Sequence, residues 1–253
     1  MSRKGRASQV GRTRRPFMTK GPTEIPGILG GMGPAATAEF FRLICDLAPS
    51  EKDQNHPRVY ILSDPWIPDR TEAIIGDGQD PGPFILEDMK KLALWGASFL
   101  VVPCNTAHVF IDRLAGEIPL PLVHIVDATI EEAARRSARG AWLMGSRGTL
   151  DSGIYQKHAK KSAYPLAIPS PELQKKTQEV IRLVKANEKD KAGAFLEDIV
   201  CKLREQHDLP VIAACTELPL AWKSSRLPAK GTISSLEALA SACINRLYPE
   251  GKV

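Results

Sequence analysis

The sequence predicts an α/β protein of two pseudo-symmetric, Rossmann-like domains, each a parallel sheet flanked by helices, with an active site in the cleft between them. Three observations predict it. Short apolar runs alternate with amphipathic stretches along the chain, the pattern of βα units packed into parallel sheets covered on both faces. A strand followed by a glycine turn and a helix occurs at Gly27–Gly33 and again at Ala141–Gly148. A cysteine directly after an apolar strand occurs at Cys104 and again at Cys215.

The elements follow in order. Apolar runs at 25–29, 59–62, 99–102, 122–126, 141–144, 166–168 and 211–214 predict strands. Helical periodicity predicts helices over 35–47, 84–95, 128–136, 174–185 and 192–204. Gly30 and Gly145 are 115 residues apart and Cys104 and Cys215 are 111 apart. Two motif pairs at nearly one offset predict two equivalent halves. In open α/β sheets ligands bind beyond the carboxyl ends of the strands, and both cysteines fall there.

The 253 residues are enough for two compact domains, and 43% apolar with 25% charged residues is ordinary globular composition. No apolar run approaches the roughly 20 residues that cross a bilayer, and no secretory leader is evident. The five cysteines lack CxxC spacing. They read as reduced thiols in a cytoplasmic protein, with Cys45, Cys201 and Cys243 as core positions on helices. The net charge of +5 belongs to one end: residues 1–20 hold seven Lys and Arg and no acid, which leaves about −2 for the rest. Residues 1–24 read as a basic, disordered tail without function; nucleic-acid contact or an organelle address is the competing use.

Inverting a carbon centre requires a proton removed from one face and another delivered to the opposite face. Two thiols on facing walls suit this, one as thiolate base and the other as acid. Cys104 precedes Asn105-Thr106-Ala107-His108 and Cys215 precedes Thr216-Glu217. Both read as polar helix starts, whose N–H dipoles would lower a thiol pKa and hold a carboxylate. A single cysteine after a strand is more often plain core; the matched pair, each beside a threonine, favours function. Zinc on Cys104, His108 and Cys215 is the rival use, but the ligand spacing of zinc sites is missing. His56 and His124 read as structural. The turn Gly30-Gly-Met-Gly-Pro34 loosely fits a dinucleotide fingerprint, and equally fits a tight turn beside any anion, with Pro34 opening the next helix.

Together, Gly27-Ile-Leu-Gly-Gly-Met-Gly-Pro-Ala-Ala-Thr37, Ser63-Asp-Pro-Trp-Ile-Pro-Asp-Arg-Thr71, Pro103-Cys-Asn-Thr-Ala-His108, Gly148-Thr-Leu-Asp-Ser-Gly-Ile-Tyr155, Val184-Lys-Ala186 and Cys215-Thr-Glu217 resemble, in order, the signatures of aspartate/glutamate racemases. The resemblance runs from about residue 25 to the C-terminus and is nearest to aspartate racemase. It implies a racemase independent of PLP and of metal, with Cys104 and Cys215 as acid/base thiols. It further implies that Asn105, Thr106 and Thr216 hold the α-carboxylate beside Met32 and Gly33, that Arg70 and Lys185 grip a distal carboxylate, and that His108 and Glu217 support the thiols. A guanidinium fork and an ammonium aimed at one place suit a dicarboxylic substrate. The resemblance also implies a homodimer, a first domain of 25–119 plus 231–253 with the last helix near 234–247 returning to it, and a second domain of 120–230. Two departures bear on fine substrate preference: Ala214 stands where a glycine is usual, and Ser234-Ser235 where an aspartate is frequent.

The expected activity is therefore racemisation of an acidic amino acid, aspartate ahead of glutamate. Diacid isomerisation on the same scaffold, a nucleotide-dependent oxidoreductase and a non-catalytic small-molecule binding protein are the alternatives. Two retained cysteines disfavour a one-cysteine decarboxylase, and the Arg70/Lys185 pair disfavours hydantoins.

Overall fold

A computed structural model of the chain describes residues 21–249, so the basic stretch 1–20 lies outside the described residues. Among these described residues, eight strands form two all-parallel sheets with the same strand order. The first sheet comprises β1 (Pro26–Gly30), β2 (Tyr60–Ser63), β3 (Phe99–Val101) and β4 (Leu122–Val123), in the order β2-β1-β3-β4. The second comprises β5 (Ala141–Gly145), β6 (Leu166–Ala167), β7 (Val211–Ala214) and β8 (Thr232–Ser234), in the order β6-β5-β7-β8. Thus β1 corresponds to β5 and β3 to β7, and the repeat read from the glycine turns and cysteines is a repeat of topology. In register, Ile28 pairs with Val101 in the first sheet and Gly145 with Ala214 in the second.

The helices are α1 (Pro34–Leu47), α2 (Glu72–Ile75), α3 (Gly82–Leu94), α4 (His108–Arg113), α5 (Ile125–Arg136), α6 (Arg147–Asp151), α7 (Ile154–Lys161), α8 (Pro171–Lys185), α9 (Lys189–Gln206), α10 (Leu218–Lys223) and α11 (Ser235–Leu247). The predicted strand over 122–126 ends at Val123, because His124 caps α5 by accepting a hydrogen bond from the Val126 N–H (3.2 Å). Ile125 and Val126 are buried as helix residues; a short apolar run satisfies the core equally well from either conformation. β8 was not predicted, since Thr232-Ile-Ser234 offers one apolar residue and no run.

One buried cluster runs through both halves, joining Ile28, Phe40 and Val101 to Tyr155, Ile212 and Leu236. The chain adds β8 to the second sheet before α11 crosses to pack against α1 and α5. Contact between the halves is close at Gly148, where a Cβ would stand 3.0 Å from the Thr71 Cα and 3.1 Å from the Thr106 side chain. Cys243 is buried as expected, but Cys45 and Cys201 are exposed on the outer faces of α1 and α9. Helical periodicity places a residue within a turn, and a small side chain at the edge of an apolar stripe falls on either side of it. Among the described residues no helix is long and apolar enough to cross a membrane.

Candidate active site

The strand ends of the two sheets meet around a cavity of about 40 Å³, lined by Cys104, Asn105 and Thr106 from the first half and by Ser146, Cys215, Thr216 and Glu217 from the second. Met32, Asp69, Arg70, Thr71, Ile181 and Lys185 complete the wall. That volume holds roughly three waters. A wider basin of about 540 Å³ lies outside it and shares Asp69, Arg70, Lys185 and Glu217 with it, so these charged residues form the neck between the two. Gly33 lines only the basin, at the N-terminus of α1, while Met32 reaches the inner cavity.

Cys104 follows β3 and is buried; Cys215 follows β7 and keeps partial solvent contact. The turns after them lead into α4 and α10, two six-residue helices that begin at His108 and Leu218. The expected lowering of the thiol pKa does not appear: burial pushes both thiols up, Cys215 well up. Short helix dipoles cannot offset the desolvation of a buried thiol. For Cys104 the Arg70 charge and a backbone bond from Ala107 work against the rise. For Cys215 the Glu217 carboxylate adds to it, with the thiol donating to Glu217 Oε2 at 3.0 Å.

Arg70 is fixed by backbone carbonyls. Nη1 donates to Ile67 and Pro68 (both 3.1 Å) and Nη2 to Met32 (3.4 Å), while its buried Nε has no partner. A buried unpaired guanidinium N–H beside a cavity is a ready donor to an anion. The ammonium of Lys185, exposed at the end of α8, makes no hydrogen bond among the described residues. Sequence reasoning missed Asp69 in this group. Burial opposes its ionisation, yet N–H bonds from Glu72 and Thr71 and the charges of Arg70 and Lys185 hold its carboxyl below the ordinary range.

The predicted carboxylate-binding residues also hold the two halves together. Asn105 donates through Nδ2 to Ser235 Oγ (2.9 Å) and accepts through Oδ1 from the Tyr155 hydroxyl (2.7 Å). One amide N–H remains for a ligand. Thr106, Ser146 and Thr149 form a triangle of hydroxyls at 2.8–2.9 Å spanning the cleft. The hydroxyl of Thr216 leans on Glu217 (3.4 Å). Ser146, Thr149 and Ser235 were not chosen as site residues, although Ser146 and Thr149 flank the repeated glycine turn and Ser235 follows a strand end, both places where ligands bind.

His108 lies behind the cavity and not in it. Its Nδ1 meets the Cys104 carbonyl oxygen at 2.8 Å and its Nε2 accepts from the Ile125 N–H at 3.4 Å. With both ring nitrogens engaged, the Cys104–His108–Cys215 zinc set does not assemble. Burial and the neighbouring His124 push His108 well below the ordinary histidine value. Asp112, His124 and His158 bring ligand atoms within 4.8 Å of one another. The rings of His124 and His158 are stacked, 19° between planes and 4.6 Å between centroids, so one ion cannot lie in both ring planes. Asp112 instead joins them by hydrogen bonds of 3.3 and 3.2 Å. His124 is held down at about 4 by burial first and by His158 second, which leaves its Nδ1 free to cap α5.

Two like-ordered parallel sheets present two thiols and two cations to one cleft, which defines a two-domain α/β fold with its candidate site between the sheets. Residues 29–243 match the Asp/Glu/hydantoin racemase family, and the chain belongs to that family, whose members are isomerases. It is 28% identical over 232 residues to the broad specificity amino-acid racemase RacX of Bacillus subtilis, covering 85% of this chain and 99% of that protein. Among solved structures it is similar to the aspartate racemase of Picrophilus torridus, with a TM-score of 0.76, 30% identity and coverage of 88% and 94% of the two chains. The glutamate racemase of Aquifex pyrophilus shares the fold at a TM-score of 0.56 and 21% identity, over 90% of this chain and 86% of that one.

Proposed function

We propose that this protein racemises an acidic amino acid, aspartate ahead of glutamate, by proton transfer at the α-carbon between Cys104 and Cys215, with neither PLP nor metal. The observation that carries the proposal is the convergence of two thiols, one from each sheet, on a single small cavity with Arg70 and Lys185 at its neck. The distal carboxylate pairs with the free Nε–H of Arg70 and with Lys185. The α-carboxylate takes the remaining Asn105 amide N–H with the Thr106 and Thr216 hydroxyls, beside Met32.

The thiolate of one cysteine removes the α-proton, an S–H bond forming as Cα–H breaks, and the electron pair spreads into the carboxylate. The opposite thiol gives its proton to the other face. The amino acid is inverted, and the two cysteines have exchanged protonation states. Because both thiols are raised by burial, the substrate ammonium supplies the positive charge that lets a thiolate form in the closed site. His108 and Glu217 act as positioning residues through the Cys104 carbonyl and the Cys215 thiol. Similarity to an aspartate racemase at 30% identity supports aspartate, and similarity to RacX supports testing a wider panel. The proposed assembly is a homodimer, checked by light scattering.

The deciding experiment is proton NMR of L- and D-aspartate in D₂O with the purified protein and no added PLP, with chiral analysis of the same samples. Exchange of the α-proton with inversion from both enantiomers is expected. No exchange with aspartate, glutamate or a broad amino-acid panel would overturn the assignment.

A further inference from the structure

The active site uses the carboxyl ends of the strands, and the amino ends of the second sheet hold a second feature. A cleft of about 700 Å³ opens where the chain enters β5, β7 and β8. Arg136, Arg139, Arg204 and Lys230 line it, and Asp208 is the one acid among its lining residues. This concentration stands on a body whose balance beyond residue 20 is about −2, so it is not part of a generally basic surface.

The hydrogen bonds that hold these cations leave their charges unspent. Arg136 donates to the carbonyls of Thr232 (2.6 Å) and Lys230 (2.9 Å), and Arg139 to the carbonyl of Asp208 (2.8 Å). Carbonyls fix a guanidinium in place without neutralising it. The nearest carboxylate to Arg136 is Glu132, at 3.9 Å. Among the described residues Arg139, Arg204 and Lys230 form no ion pair with an acid. Gly231 makes room for Arg204, since a Cβ there would crowd the Arg204 Nη2. Two guanidinium groups thus stand pre-positioned on backbone, with a third guanidinium and an ammonium free beside them.

We propose that this cleft binds a small, multiply charged oxyanion of the polyphosphate type. Guanidinium forks recognise such oxygens in pairs, and ammonium groups add point charges. Four cations against the lining carboxylate of Asp208 and the Glu132 carboxylate paired with Arg136 leave a net charge that suits a ligand carrying at least two negative charges. Nucleic acid would need a cationic track extending beyond one cleft, which the acidic balance of the surrounding body does not provide. Binding here is separate from the racemase site, which occupies the opposite ends of the same strands.

The test is calorimetric titration of the full chain with sodium tripolyphosphate at fixed, near-physiological salt, comparing wild type with R204E/K230E and with R70A. Arg204 and Lys230 donate no side-chain hydrogen bond within the described residues, so their reversal leaves the fold in place, as an unchanged melting temperature will verify. Saturable binding near one equivalent is expected, weakened about tenfold or more in R204E/K230E, since two charge-assisted contacts are lost. R70A should bind as wild type does. Absence of saturable binding, equal binding by R204E/K230E, or loss in R70A would overturn the proposal. Tighter binding of a short RNA than of tripolyphosphate would overturn it as well, assigning the cleft to nucleic acid.

Discussion

Cys104 and Cys215 occupy equivalent places, each just past the strand that pairs beside the first strand of its half, yet the leading charge at each is of opposite sign. Behind Cys104 stand the Arg70 guanidinium and the buried His108 that holds its carbonyl. Behind Cys215 stands a carboxylate, Glu217, that accepts its S–H proton. Topological repetition placed two thiols on one cavity, and the side chains around them differ. Under the proposed two-thiol scheme, the Arg70 charge favours the thiolate at Cys104 and the Glu217 carboxylate favours the protonated thiol at Cys215.

The strongest way to break this comparison is to remove each thiol in turn. Cys104→Ser and Cys215→Ser should each lower racemisation by about 10²–10⁴-fold, measured by chiral chromatography. Deuterium incorporation without inversion from one enantiomer should survive in each variant, and the enantiomer should differ between them. Near-normal inversion in either variant would sink the two-thiol scheme.

Arg70 serves both sides of the argument, as counter-charge to Cys104 and as distal clamp. Arg70→Ala should reduce kcat/KM for aspartate by about 10–100-fold through the loss of charge-assisted bonds. The reduction for alanine should be smaller and confined to the share due to Cys104. An equal loss on both substrates would remove Arg70 from the clamp and leave it only the thiol.

Glu217→Gln sharpens the comparison from the other wall. Burial is the first cause of the high Cys215 pKa, and the Glu217 charge and hydrogen bond add to it. Without the charge, the midpoint for alkylation of Cys215 should move to lower pH, followed by mass spectrometry of iodoacetamide-treated protein. In the wild type both thiols are raised, so thiolate increases with pH through the ordinary thiol range. The kcat/KM for aspartate should rise over that range and not level off below it. An alkylation midpoint that does not move would detach Glu217 from Cys215.

Much of this arrangement was legible in the sequence because it rests on local signals. A cysteine after an apolar run marks a strand end, and a repeated offset marks a repeated fold. What escaped was set across distance. The sign of each thiol shift depends on how deeply the fold buries the sulfur, and nothing at Cys104-Asn105 or Cys215-Thr216 encodes that depth. Asp69 looks like an ordinary loop acid until Arg70 and Lys185 are seen beside it. Ser235 looks like a helix start, and only the return of α11 from β8 places its hydroxyl against Asn105, 130 positions away.

That last contact gives the smallest and most discriminating prediction. Ser234 and Ser235 are neighbours with different tasks: Ser234 caps α11 by accepting from the Glu237 N–H, whereas Ser235 bridges Asn105 and the Ala213 carbonyl. Ser234→Ala should cost about 1 kcal/mol of stability and leave turnover unchanged. Ser235→Ala takes a hydrogen-bond partner from each of two buried polar groups, at about 1–3 kcal/mol, or a fall in melting temperature of roughly 2–10 °C for a chain of this size. It also frees an amide proposed to hold the α-carboxylate, so KM for aspartate should rise several-fold. If the two variants lose stability but keep the same KM, Asn105 is a strut between the halves and not a substrate ligand.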